Sequence, residues 1–220
     1  MKLKTCFFIC LLVISAQCIF AQQQPFYEEI QNFKNQDTVN PPPKNAILFV
    51  GSSSFRKWTD VQSYFPGYAI INRGFGGSSL PDVIRYANDI IFPYHPKEIV
   101  IYCGENDFAA SDSTSAEMVF ERFKTLYAII RSKMADVPVA FVSIKPSPSR
   151  RKYWPKMIVA NKMIKDYIST QQHASFVDVY QPMLNSDGQP KPEIFESDSL
   201  HMNAKGYAIW QKAIEPYLIK

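Results

Sequence analysis

Five short apolar runs, set apart by stretches of helical spacing, constrain this chain more than any other feature. The runs cover residues 46–50, 68–71, 98–102, 138–144 and 176–180, the last being the weakest. Continuous apolar character suits a strand covered on both faces. Between the runs, residues 80–92, 115–134 and 154–169 repeat apolar side chains every three or four positions, and residues 203–218 close the chain in the same way. In the first of these the repeat is Val83, Ile84, Ala87, Ile90 and Ile91. Strand alternating with helix predicts an α/β fold, a parallel sheet with helices on both faces. The 220 residues suffice for one domain with a real core.

The N-terminal residues read differently. Lys2 and Lys4 precede an apolar run at 7–14, too short to span a membrane, and Ala21 offers a small residue for cleavage. Residues 1–21 are therefore expected to be a signal peptide, and the protein to be exported, periplasmic or extracellular, with no stable membrane insertion. A lipid anchor at Cys18 is the alternative, to which Gln17 is poorly suited. Cleavage removes Cys6, Cys10 and Cys18 and leaves Cys103 alone, so no internal disulfide is expected. Cys103 ends an apolar run and reads as a buried small hydrophobe. Residues 22–45 form an N-terminal arm, amphipathic over 26–33 and stopped by Pro41-Pro42-Pro43. The domain proper is expected over 46–220.

The formal charge of +4 falls by two when Lys2 and Lys4 leave, which does not suggest a nucleic-acid partner. Three histidines and one remaining cysteine, without paired spacing, argue against a metal site. The basic cluster Arg150-Arg151-Lys152 reads as a solvated helix start.

In parallel sheets of this kind ligands bind beyond the carboxyl ends of the strands. The first run is followed there by Gly51-Ser52-Ser53-Ser54, the second by Asn72-Arg73-Gly74-Phe75-Gly76-Gly77-Ser78, and the third by Gly104-Glu105-Asn106-Asp107. Beyond the fifth comes Asp198-Ser199-Leu200-His201. Taken singly these are a polar turn, a flexible loop, a capped turn and a common pairing. Together they supply a serine at a strand-to-helix turn, a histidine able to take its proton, and an acid to orient the ring. The Asp198–His201 spacing fits one face of a helical turn. Backbone N–H groups of glycine-rich loops and a side-chain amide suit an oxyanion, a need that Gly77 and Asn106 meet. The glycine spacing matches neither the dinucleotide fingerprint nor the P-loop.

With these motifs the sequence resembles the SGNH (GDSL) hydrolase superfamily over nearly all of residues 46–218. The resemblance implies a flavodoxin-like three-layer α/β/α sandwich with a five-stranded parallel sheet. It places the nucleophile at Ser53 between Ser52 and Ser54, in register with Gly51. It implies an oxyanion hole of Ser53, Gly77 and Asn106, and a catalytic Asp198 and His201. The Gly-x-Asn-Asp and Asp-x-x-His blocks are matched in full, and Asn203-x-Lys205-Gly206-Tyr207 also looks like the family's ending. The family's aspartate before the nucleophile is replaced by Ser52.

The expected function is a secreted serine esterase without a cofactor, acting on short acyl groups carried by a carbohydrate. A lipid or thioester acylhydrolase, and a non-catalytic carbohydrate-binding protein on the same scaffold, are the alternatives. Trp58, Phe108, Tyr153 and Trp154 lie near the site's edge in sequence and read either as core or as stacking faces for sugar rings. Histidine's ordinary pKa near 6.5 predicts activity that falls below about that pH.

Overall fold

A computed structural model describes residues 23–220. The expected signal segment, with Cys6, Cys10 and Cys18, lies outside the described residues. Each apolar run forms a strand: β1 (Ile47–Gly51), β2 (Ile70–Gly74), β3 (Glu98–Tyr102), β4 (Val139–Val142) and β5 (Ala174–Val177). All four pairings are parallel and the order is β2-β1-β3-β4-β5. This is the flavodoxin-like order, whose reversal between β1 and β3 opens a crevice at the carboxyl edge.

Three strands differ from the apolar runs by more than one residue at an end, β4 by stopping at Val142, two residues short of the run's end. β2 continues through Asn72 and Arg73, which an edge strand tolerates because only one side of it is paired. β5 starts earlier and stops at Val177, because Asp178 Oδ1 accepts from the N–H groups of Tyr180 and Gln181 and turns the chain out of the sheet.

The helices in chain order are α1 (Tyr27–Val39), α2 (Ser53–Arg56), α3 (Val61–Tyr64), α4 (Leu80–Ile90), α5 (Glu105–Ala110), α6 (Ala116–Lys133), α7 (Trp154–Ile168) and α8 (Ala204–Ile214). The arm thus extends as a helix well past residue 33. Alternation along β1 divides the core in two. Leu48 and Val50 face Ile30 of α1, Val83 of α4, Phe123 of α6 and Met157 of α7, whereas Ile47 and Phe49 face Phe55 of α2, Val61 of α3 and Trp210 of α8. All four β1 side chains are fully buried, each a gain of about 1.5–3 kcal/mol over exposure. Among the described residues no helix is long and apolar enough to cross a membrane.

Candidate active site

Gly51 ends β1 level with Tyr102, the last residue of β3. Its φ is +141°, and a Cβ there would sit 1.9 Å from the carbonyl oxygen of Tyr102, so no other residue fits. The chain then turns into α2 at Ser53. Ser52 and Ser54 are buried, at 2% and 1% exposure, while Ser53 is half-buried. Only Ser53 meets the histidine: its Oγ lies 3.0 Å from His201 Nε2, across 148 positions of sequence. On the far side of the ring, Nδ1 lies 2.6 Å from Asp198 Oδ2.

The Asp198–His201 segment is not helical, contrary to the expectation from spacing. It is a tight turn with Ser199 at φ 54°. Asp198 Oδ1 accepts from the N–H groups of Leu200 and His201, each at 2.9 Å, and this side-chain turn replaces the helical one. One carboxylate therefore shapes the turn with Oδ1 and holds the ring with Oδ2. Burial raises the Asp198 carboxyl, but the hydrogen bonds from the His201 ring and from the two N–H groups outweigh it. The group is held well below the usual carboxylate range. α8 starts directly behind the turn, where Asn203 Oδ1 accepts from Lys205 N at 2.9 Å.

The loops after β1, β2 and β3 touch one another. Ser78, fully buried, donates from Oγ to the Gly51 carbonyl at 3.1 Å, and its own carbonyl accepts from Asn106 Nδ2 at 3.2 Å. That bond engages one of the two amide hydrogens of Asn106. Gly77 adopts φ +65° with open space around it. Among the described residues neither the N–H of Ser53 nor that of Gly77 has a protein acceptor. Asp107 anchors the rear of the loop after β3, accepting from Leu80 N at 2.9 Å and Arg122 Nη1 at 2.8 Å.

The sequence motifs do not reveal a buried pair behind the site. Lys145 Nζ lies 2.6 Å from Glu105 Oε2, which also accepts from Tyr102 OH at 3.0 Å. Burial lowers the Lys145 pKa and Glu105 opposes the shift. Lys145 also bonds Ser147, whose Oγ reaches the Leu200 carbonyl at 3.4 Å, and Ser149 N donates to the Ser199 carbonyl at 3.0 Å. The loop after β4 thus backs the Asp198–His201 turn. A lysine directly after an apolar strand was the available signal.

The aromatic side chains fall mostly to the core. Trp58 and Phe108 are fully buried and Tyr153 is 6% exposed, so none presents a face to a sugar. Trp58 stacks on Tyr207 at 4.7 Å. Trp154 keeps partial exposure and donates from Nε1 to the Ser147 carbonyl at 2.9 Å. Cys103 is buried against the Ser78 carbonyl, and burial pushes its thiol well above its ordinary value. Arg151 and Lys152 are exposed on a 3-10 turn, with Lys152 paired to Asp112 at 2.8 Å. Among the described residues no group of three or more His, Cys, Asp or Glu is placed to hold a metal ion.

Fold and geometry together define a class: a doubly wound α/β protein with a hydrogen-bonded Ser-His-Asp chain at the carboxyl edge of its sheet. The chain belongs to the GDSL-like lipase/acylhydrolase family, whose model matches residues 47–209. No curated protein matches it in sequence. Solved structures share the fold. A Bacteroides fragilis protein assigned as an acylhydrolase is 20% identical, with TM-score 0.75 over 87% of this chain and 96% of that one. A GDSL-like lipase of Bacteroides thetaiotaomicron is 20% identical, with TM-score 0.74 over 86% and 96%. A carbohydrate esterase family 3 protein of Talaromyces cellulolyticus is 14% identical, with TM-score 0.60 over 78% and 95%.

Proposed function

We propose that the protein is an exported serine esterase that removes short acyl groups, acetyl first among them, from a carbohydrate. The observation that carries the esterase reading is the unbroken chain Ser53 Oγ, His201 Nε2, His201 Nδ1, Asp198 Oδ2, with spans of 3.0 and 2.6 Å. Ser53 Oγ attacks the acyl carbonyl carbon while His201 Nε2 takes its proton. The oxyanion is held by the N–H groups of Ser53 and Gly77 and by the Asn106 amide hydrogen not spent on Ser78. The tetrahedral intermediate collapses, and His201 gives the proton to the leaving alcohol. Water, deprotonated by His201, then attacks the acyl-enzyme, releasing the acid and restoring Ser53. Asp198 stabilises the imidazolium formed in both halves.

The carbohydrate alcohol rests on the character of the rim. A hollow of about 700 Å³ adjoins Asp198, with Ser53 outside its lining, and there Arg56, Lys57, Asp60 and Glu196 stand beside the apolar faces of Tyr64 and Met202. Its charged side chains can hydrogen-bond the hydroxyls of such an alcohol.

Hydrolysis of p-nitrophenyl acetate by the wild type and by Ser53→Ala, Ser52→Ala and Ser54→Ala tests the nucleophile. Only the first variant should lose activity, by roughly a thousand-fold or more. Equal turnover in wild type and Ser53→Ala removes the assignment. Release of acetate from acetylated xylan, compared with hydrolysis of long-chain esters, tests the substrate. A preference for long chains overturns the short-acyl reading, and glycan binding without turnover of any ester favours a binding protein.

A further inference from the structure

α1 lies before residue 47, where the family match begins, yet it reaches the candidate site. Its start packs on the segment after β2, where Phe26 meets Phe75 edge-to-face at 5.3 Å, and on α4, where Tyr86 OH donates to the Pro25 carbonyl at 2.8 Å. Next to this contact, Glu29 turns one carboxylate oxygen toward two donors. Oε2 accepts from the backbone N–H of Gly76 at 3.0 Å and lies 3.0 Å from Arg56 Nε. Gly76 immediately precedes Gly77. Arg56 stands in α2, three residues after Ser53. A single carboxylate therefore joins the two backbone segments that carry the N–H groups of Ser53 and Gly77.

We propose that Glu29 is a positioning residue for oxyanion binding, and that α1 is for this reason a working part of the site. The proposal rests on the esterase reading above. Oxyanion donors act through placement, and removing one costs roughly a hundred- to thousand-fold in rate. Displacement by about 1 Å can cost a hundred-fold. Gly77, at positive φ with no atom near its Cβ position, has no side-chain packing to fix it. On its C-terminal side Ser78 is tied to the Gly51 carbonyl and to Asn106, and the Glu29–Gly76 bond is the tether on its N-terminal side. The side chains of Arg56 and Glu29 are 54% and 30% exposed, so their ion pair adds little to fold stability. Loss of the tether should thus appear in the rate rather than in the fold.

The test compares Glu29→Ala and Glu29→Gln with Lys34→Ala, which removes another α1 anchor, the 2.6 Å pair with Asp89, away from the loop. Glu29→Ala should lower kcat about ten- to hundred-fold with KM within two-fold of wild type. Glu29→Gln keeps an acceptor for Gly76 and should recover part of the loss. Lys34→Ala should leave kcat within two-fold. Unchanged kcat in Glu29→Ala, or equal losses in Glu29→Ala and Lys34→Ala, overturns the proposal. Amide hydrogen exchange at Gly76 gives a readout independent of chemistry. It should quicken at least ten-fold in Glu29→Ala and not in Lys34→Ala. If the wild type hydrolyses no ester, the esterase reading fails, and exchange alone decides whether Glu29 restrains the loop.

Discussion

A serine hydroxyl is a poor nucleophile until a neutral imidazole stands against it, and at the residue scale the site turns on what holds His201 there. Asp198 does so with both oxygens, one on the ring and one on the turn's N–H groups. Asp198→Asn keeps the acceptor oxygen for the turn, but its amide can present an N–H to Nδ1 and favour the wrong tautomer. We expect kcat to fall by roughly a thousand- to ten-thousand-fold with the fold intact. A fall of less than ten-fold in steady-state hydrolysis of p-nitrophenyl acetate contradicts this role. The acid limb of the pH–rate profile follows from the same geometry. Asp198 is held well below the usual carboxylate range, so it remains a carboxylate where an ordinary one would take up a proton. The limb should have the slope of one proton, since His201 must be neutral to accept from Ser53. A two-proton slope means that another group must ionise. The three serines show how far sequence reaches at this scale. Register with Gly51 points to Ser53, and in the fold Ser52 and Ser54 are buried while Ser53 is half-buried. The turn geometry of Asp198 was not legible, because an i,i+3 spacing fits a helix and a side-chain turn equally well.

At the scale of elements, the strand ends bring the parts together and the loop after β4 supports them from behind. The Lys145–Glu105 pair is buried on both sides, with side chains 0% and 4% exposed. Removing one partner strands the other charge. Lys145→Met should destabilise by about 3–5 kcal/mol. Lys145→Met/Glu105→Gln should regain much of that, because the glutamine amide oxygen still accepts from Tyr102 and carries no charge. Urea unfolding of the two variants checks this, and a double variant no more stable than the single one refutes it. The apolar runs made the five strands legible, and the periodic stretches made α4, α6, α7 and α8 legible, since these patterns report burial directly. α2, four residues long, carries too little pattern to read. α1 was visible only as an arm, because its contacts with Arg73, Phe75 and Gly76 are set by tertiary placement. Lys145 and Glu105 escaped notice for the same reason: 40 positions separate them.

Across the whole molecule the two ends of the sheet carry different duties. Chemistry gathers where the strands end, whereas Glu98 opens β3 at the other edge, 2% exposed, and accepts from Ile219 N at 2.8 Å. It fastens the C-terminal residues to the sheet. Burial raises its pKa to about 7, against the lowering influence of the Ile219 N–H and Lys97. The folded state therefore holds this proton more tightly than the unfolded chain. Between the ordinary carboxylate pKa of about 4.5 and about 7, the native state binds more protons, so stability falls as pH rises through that window. Above it the loss is constant, at roughly 1–3 kcal/mol. Glu98→Gln keeps the acceptor for Ile219 and removes the titration. Relative to wild type it should gain about that much stability between pH 5 and pH 8, with kcat within two-fold at each pH, because the other groups cancel in the comparison. Unfolding curves at the two pH values, run beside the hydrolysis assay, read both quantities. Parallel changes in stability and kcat would mean that the two edges are coupled through β3, whereas a stability gain alone fixes Glu98 as a structural titration separate from the catalytic edge.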